Sequence, residues 1–384
     1  MSPDSLDADE RSDRLSGAQR SAVEGIVGST IVEMTIVWER AHVVRAGLAS
    51  GGSVIVKRPR DQSERELRQF ATEVANLTYL SAMPDPIAPR LLGSDPNRQV
   101  VVMEDLPAGR SLADSLLGGN RVQAEADVVA FAATLGRLHR WSFDHPPTEP
   151  QPLVWADHAE GRVVGALRTA AANAGVVVGD GLEAECAMIV ARLREAGAWQ
   201  GFVHGDACPD NTRIIDDRFV LFDFERSGWG SVLLDASYVV APFPSCWCFA
   251  PLPADLSSSA IQAYRDAVGP RPGFDDGLAA ALFAWVIARG EILERNRAGS
   301  RVTVEGASSD REWGTTTIRP RLLSWLRVAA NAPGYGYPVL RTLSRDLADA
   351  LAEQWSDPER LAYPALAKPG ETSVSAPAWW TPGG

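Results

Sequence analysis

One stretch limits what this chain can become more than any other. It runs Phe202-Val-His-Gly-Asp-Ala-Cys-Pro-Asp-Asn211 and resumes at Phe219-Val-Leu-Phe-Asp-Phe-Glu225. The residues Phe219–Phe222 are an apolar run of strand formers, bounded by the polar turn Asp216-Asp217. The whole reads as a loop, a turn and a hairpin-like pair of strands. His204, Asp206, Asn211 and Asp223 interrupt an otherwise apolar backbone. A buried carboxylate is costly unless it is paired or binds a cation. Three oxygen donors, Asp206, Asn211 and Asp223, suit a hard cation. Magnesium accepts a couple of protein oxygens and completes its shell with phosphate and water. The blander alternative is a turn whose Asx side chains satisfy their own backbone. It accounts for one such residue and poorly for three at this spacing.

His204-Gly205-Asp206, Asn211 five residues on, and Asp223 after a strand resemble the catalytic core of the aminoglycoside phosphotransferase and choline kinase family. That family is a branch of the protein-kinase-like fold. The resemblance spans roughly residues 20 to 360. It implies that Asp206 is the catalytic base and that Asn211 and Asp223 hold Mg²⁺. It also implies a bilobal α+β fold. A nucleotide-binding N-lobe with a small antiparallel sheet is expected over 20–105, and a larger, mainly helical, catalytic and substrate-binding C-lobe over 106–365. A disordered arm, 1–19, and a loose tail, 366–384, flank them.

Composition narrows the classes. A chain of 384 residues with 45% apolar content can bury a large core. No apolar run reaches membrane-spanning length, and the polar, acidic start has no signal-peptide pattern. The four cysteines, Cys186, Cys208, Cys246 and Cys248, show no metal-type spacing. They read as reduced thiols of a cytoplasmic protein. A net charge of −12 argues against nucleic acid as a partner and is compatible with a cationic substrate.

Of 37 basic residues only Lys57 and Lys368 are lysines. Lys57 ends the third of three strands, read over Thr30–Val37, His42–Ala46 and Ser53–Lys57, after a short helix capped by Ser16. A strand-end lysine can simply be solvated; in the resembling family it contacts the nucleotide phosphates. The segment Trp38-Glu39-Arg40 contains no glycine, so a glycine-rich phosphate cradle is not supported there. A helix is predicted over Glu64–Leu80, with Leu67, Phe70, Val74, Leu77 and Leu80 on one face. Glu73 beside that stripe is the expected partner of Lys57, with Glu66 as competitor. A strand over Gln99–Met103 leads into Glu104-Asp-Leu-Pro107. That position resembles the kinase hinge, where main-chain groups of Glu104 and Leu106 would hold the nucleotide base. The alternative is an ordinary strand-to-helix connection.

Further on, helices are read over Ser111–Leu117, Val122–Trp141, Arg162–Ala172, Leu182–Ala196, Leu278–Arg295, Arg319–Asn331 and Val339–Gln354. His139 is read as a packed helix residue and Asp235 as a structural helix cap; in the resembling family an aspartate at this place begins a helix and braces the catalytic loop. The loop Ser245-Cys-Trp-Cys-Phe249 either lines a pocket or packs irregularly. Ser308–Trp313 either presents acidic groups to a cationic substrate or is an exposed charged loop. Trp379-Trp380 is a possible anchor for the tail.

The expected function is transfer of the γ-phosphoryl group of ATP or GTP, with Mg²⁺, to a hydroxyl of a small molecule: an antibiotic, an amino sugar or a choline-like alcohol. The rival is a nucleotide-binding pseudokinase with a regulatory role. A metal-dependent hydrolase built on His204 would call for clustered histidines, and the five present are scattered. Oligomeric state is left open.

Overall fold

The computed structural model describes residues 15–37, 42–153, 162–290, 312–334, 336–355 and 361–376. Trp38-Glu39-Arg40, most of Ser308–Trp313, Trp379-Trp380 and the first fourteen residues lie outside them. The chain divides into two compact units. One contains the described residues up to Gly109 together with Arg213–Ser227, and the other contains Arg110–Thr212 and the described residues from Gly228 onward.

The first unit opens with helix α1, Gly17–Val27. Ser16 and Gln19 form a reciprocal capping box at its start, and Gly28 closes it in the left-handed conformation. The helix starts where the Ser16 cap predicts, which shortens the disordered arm expected over 1–19. Strands β1 (Ile31–Ile36), β2 (Val43–Leu48) and β3 (Ser53–Lys57), helix α2 (Glu64–Leu80), and strands β4 (Leu91–Asp95) and β5 (Val100–Glu104) follow. The sheet order is β1-β2-β3-β5-β4, and every neighbouring pair is antiparallel. Strand side chains alternate between faces. Val54 and Val56 therefore join Val44, Ala46, Val100, Val102 and Val23 of α1 in one buried cluster. Lys57 belongs to the other face of β3, where it stands opposite Val43 and Val101.

β4 was not anticipated. Its sequence, Leu-Leu-Gly-Ser-Asp, has little strand propensity, and pairing with β5 imposes the conformation. The hairpin Thr212–Ile215 with Arg218–Leu221 turns through Asp216 and Asp217, both at positive φ, as a two-residue mirror-type turn requires. It joins the first unit through a bond from Leu221 N–H to the Ile87 carbonyl, 2.6 Å. The Asn76 side chain donates to the carbonyls of Phe224 and Ser227 at 3.1 and 3.2 Å.

The second unit is mainly helical. The 24-residue helix Arg121–Asp144 packs along Ala254–Val268. Gly136 permits the approach, since a Cβ there would lie 2.7 Å from the Tyr264 carbonyl oxygen. Ala254–Val268 was missed, although Leu256, Ala260, Tyr264 and Val268 recur every fourth residue and are all buried. The helix Phe274–Ala288 is buried from Leu278 to Ile287, as its all-round apolar sequence predicts. Among the described residues, no helix is long and apolar enough to cross a membrane. Gln200–Val203 pairs antiparallel with Gly228–Ser231 and launches the His204–Asn211 loop. The expected loose tail is packed as far as it is described. Leu366 and Val374 are buried, and Ala362 bridges to Ser373.

Candidate active site

In the first unit, Lys57 is enclosed by carboxylates. Its ammonium nitrogen lies 2.6 Å from Glu73, 2.5 Å from Asp223 and 2.9 Å from Glu225. β3 delivers the lysine and α2 delivers Glu73, which is 2% exposed. The turn after the hairpin delivers the other two. Asp223 sits at φ 69°, a left-handed conformation that costs a non-glycine residue free energy and aims its carboxylate at Lys57. Glu66, the sequence competitor, instead meets Arg60 at 3.1 Å. Arg60 also reaches Glu225 at 3.2 Å, and Gln69 donates to the same carboxylate.

The ammonium faces three carboxylates, of which Glu73 and Glu225 are buried, and this negative charge shapes how Lys57 and Glu73 titrate. Burial opposes the Lys57 charge, but Asp223, Glu73 and Glu225 outweigh it and hold the amine well above its usual range. Burial pushes Glu73 up from 4.5 to about 7, with Asp223 and Glu225 adding to the shift and Lys57 opposing it. A folded-state value above the unfolded one means that the stabilising contribution of protonated Glu73 is full below pH 4.5 and lost as pH rises through about 7. Glu73→Gln mimics the protonated form permanently. Urea denaturation should therefore show wild type losing stability relative to Glu73→Gln between those two values; a flat difference would deny the shift.

In the second unit, the catalytic-type loop hangs from Asp235. This carboxylate is fully buried and accepts the backbone N–H of His204 at 2.6 Å and of Gly205 at 3.0 Å. His139 touches it at 3.1 Å and is itself held by the Tyr264 hydroxyl at 2.8 Å. Asp235 thus braces the loop, but it is not a helix cap. It lies inside Leu233–Ala236, whose N-cap is Val232. His139 is a full member of the brace, a role its helical spacing did not disclose. His204 accepts the Asp206 N–H through Nδ1 at 3.3 Å.

Asp206 presents its carboxylate beside the aromatic loop. Ser245 donates to Oδ1 at 2.6 Å and the Cys208 thiol donates to the same oxygen at 3.1 Å. Asn211 directs its side-chain nitrogen to the Asp206 carbonyl, 3.0 Å away. Sequence reasoning missed Ser245 and Glu225. Glu225 lies two residues beyond Asp223 within the stretch singled out, so its proximity was readable. Ser245 lies 39 residues from Asp206, and nothing local signals the pairing.

Glu104 ends β5 opposite Val54, and its N–H is bonded to the Arg90 carbonyl at 3.0 Å. Between Glu104 and Leu106, Asp105 is pinned by Arg45 and Ser53. Leu106 is half-buried in the irregular segment that follows.

The sequence profile described as "Phosphotransferase enzyme family" matches residues 38–282. No curated protein sequence matches the chain. Among solved structures, amicoumacin kinase hAmiN is similar over 86% of this chain and 98% of its own, at 12% identity and a TM-score of 0.52. The macrolide 2'-phosphotransferase MphH from Brachybacterium faecium is similar over 75% and 95%, at 17% identity and a TM-score of 0.46. A putative fructosamine-3-kinase from Thermobifida fusca YX-ER1 is similar over 87% and 98%, at 17% identity and 0.47. With the family profile covering well over half of its length, the chain belongs to the phosphotransferase enzyme family, has the α+β protein-kinase-like fold, and is an enzyme that phosphorylates hydroxyl groups of small molecules.

Proposed function

We propose that the protein transfers the γ-phosphoryl group of ATP, or of GTP, to a hydroxyl of an antibiotic, amino sugar or choline-like acceptor. The observation that supports this best is the Lys57–Glu73–Asp223 constellation. A compact ammonium is held rigidly by a glutamate on the following helix, beside an aspartate in a strained turn. Lys57 positions the phosphate chain, and Glu73 fixes Lys57. Main-chain groups of Glu104 and Leu106 hold the nucleotide base. The alcohol oxygen forms a bond to the γ-phosphorus as the bond from that phosphorus to the β-bridging oxygen breaks. Asp206 receives the alcohol proton, with Ser245 and Cys208 fixing its carboxylate.

The donor set fits a hard cation. The carboxylates of Glu73, Asp223 and Glu225 offer oxygens within 4.8 Å of one another. With its nitrogen turned to the loop, Asn211 has its amide oxygen for a cation. Asp223 and Asn211 would hold Mg²⁺, which neutralises phosphate charge when bound. The sequence carries a lysine, a helix glutamate, a base and two metal-ligand types at Lys57, Glu73, Asp206, Asn211 and Asp223, and this supports an active kinase over a pseudokinase. Four free cysteines suit a cytoplasmic setting.

The test is a screen of hydroxylated small molecules with nucleoside triphosphate, followed by mass spectrometry for the gain of one phosphoryl group. Product should form with Mg²⁺ and vanish in excess chelator. Turnover that survives the chelator would remove the metal roles of Asn211 and Asp223.

A further inference from the structure

Cys208 and Cys246 converge on Asp210, from two loops of the second unit, and Cys248 lies against Cys246. We infer that Cys208, Asp210 and Cys246 form a binding site for a borderline-soft divalent cation of the zinc class, with Cys248 as a fourth ligand. One ligand atom from each of the first three lies within 4.8 Å of the others. Ligands on one tetrahedral zinc stand about 3.5–3.8 Å apart, given bond lengths of about 2.0–2.3 Å. The cluster needs only a modest contraction to reach that spacing. The Cys248 sulfur lies 2.9 Å from the Cys246 sulfur and needs to swing outward to join the same ion.

The carboxylate is oriented as a metal ligand would be. The Trp247 indole N–H donates to Asp210 Oδ2 at 2.7 Å, while Oδ1 faces the Cys246 sulfur at 3.2 Å. Metal-bound carboxylates are commonly held this way through their second oxygen. Among the described residues the Asp210 carboxylate meets the Trp247 N–H and the buried Cys246 thiol, and no cation. A cation supplies the missing counter-charge.

The Cys-Trp-Cys loop is also rigid before any ligand arrives. Arg321, wholly buried, donates to the carbonyls of Cys246 at 2.6 Å, Trp247 at 2.8 Å and Trp313 at 2.5 Å. The Tyr363 hydroxyl donates to the Cys248 carbonyl at 2.5 Å. The Thr315 backbone N–H donates to the Trp247 carbonyl at 3.0 Å and its hydroxyl to the Phe249 carbonyl at 2.9 Å. The side chains of this loop thus start from fixed positions, which lowers the ordering cost of coordination. Sulfur donors select against magnesium, so this centre is chemically separate from the oxygen set of Asp223 and Asn211. Binding releases the thiol protons of Cys208, Cys246 and Cys248 to solvent. Ser245 then remains as a donor to Asp206. The bound ion ties the His204–Asn211 loop to the aromatic loop, and it does so whether or not the phosphotransfer reading holds.

The full chain, purified without chelator and dialysed, should retain about one zinc by elemental mass spectrometry, as a closed thiolate site does. Cobalt added to metal-stripped protein should produce sulfur-to-metal charge-transfer absorption. Cys246→Ser should lose both signals, and Cys186→Ser should keep both. If Cys246→Ser fails to fold by circular dichroism, Cys248→Ser should weaken zinc retention at least tenfold in a chelator competition. Absence of zinc and of the cobalt band in wild type would overturn the site. So would zinc that survives Cys246→Ser, or a Cys246–Cys248 disulfide found by peptide mass mapping.

Discussion

Asp206→Asn is expected to lower phosphotransfer by roughly 100- to 10,000-fold, the range associated with loss of a general base. Nucleotide affinity, measured by calorimetry, should not change, because Lys57, Glu73 and Asp223 are untouched. The loop should keep its shape for a specific reason. Its hanging bonds run from His204 and Gly205 N–H to Asp235, from Asp206 N–H to His204, and from Asn211 to the Asp206 carbonyl. None of them uses the Asp206 carboxylate. An asparagine still offers Ser245 an acceptor oxygen. Equal loss of binding and turnover would make Asp206 structural or metal-binding, and retention of both would remove it from the chemistry.

The second large effect is on stability. Asp235→Leu should cost about 3–5 kcal/mol, the scale for breaking a buried charged network by removing one partner. It strands the N–H groups of His204 and Gly205 and one nitrogen of His139; His204 and His139 are fully buried and Gly205 is half-buried. Asp235→Asn keeps one acceptor oxygen and should lose less. Urea denaturation midpoints measure the ranking wild type, Asn, Leu. A Leu variant within about 1 kcal/mol of wild type would mean that the loop finds other acceptors, since each orphaned buried group alone is worth about that much or more.

Local patterns announced most of the elements. The Ser16 cap, the strand ending in Lys57 and the helix Glu64–Leu80 all follow from apolar periodicity and capping chemistry. The Lys57–Glu73 contact was legible because Glu73 lies deep in the apolar stretch of its helix and the resembling fold pairs a strand lysine with a helix glutamate. What escaped was set by distant partners. β4 has a loop-like composition and becomes a strand only against β5. Ser245 reaches Asp206, and His139 reaches Asp235, across 39 and 96 residues. No local propensity encodes such pairs. The cysteine cluster escaped for the same reason: the spacing of 208, 246 and 248 matches no contiguous metal motif, and folding alone assembles it.

The first unit is discontinuous, and this dictates an order of events during synthesis. Arg213–Ser227 belongs to it, yet emerges from the ribosome roughly a hundred residues after Gly109. At about 5–20 residues per second, the sheet and its two helices wait on the order of 5–20 seconds for their last segment. During that interval Lys57 has Glu73 alone for company, and the Asn76 amide has neither of its carbonyl acceptors. A fragment ending near Gly109 would remain in that waiting state. Supplying the later residues as a separate polypeptide should rescue it, which makes the junction at 109 a natural place to split the gene into two complementing halves.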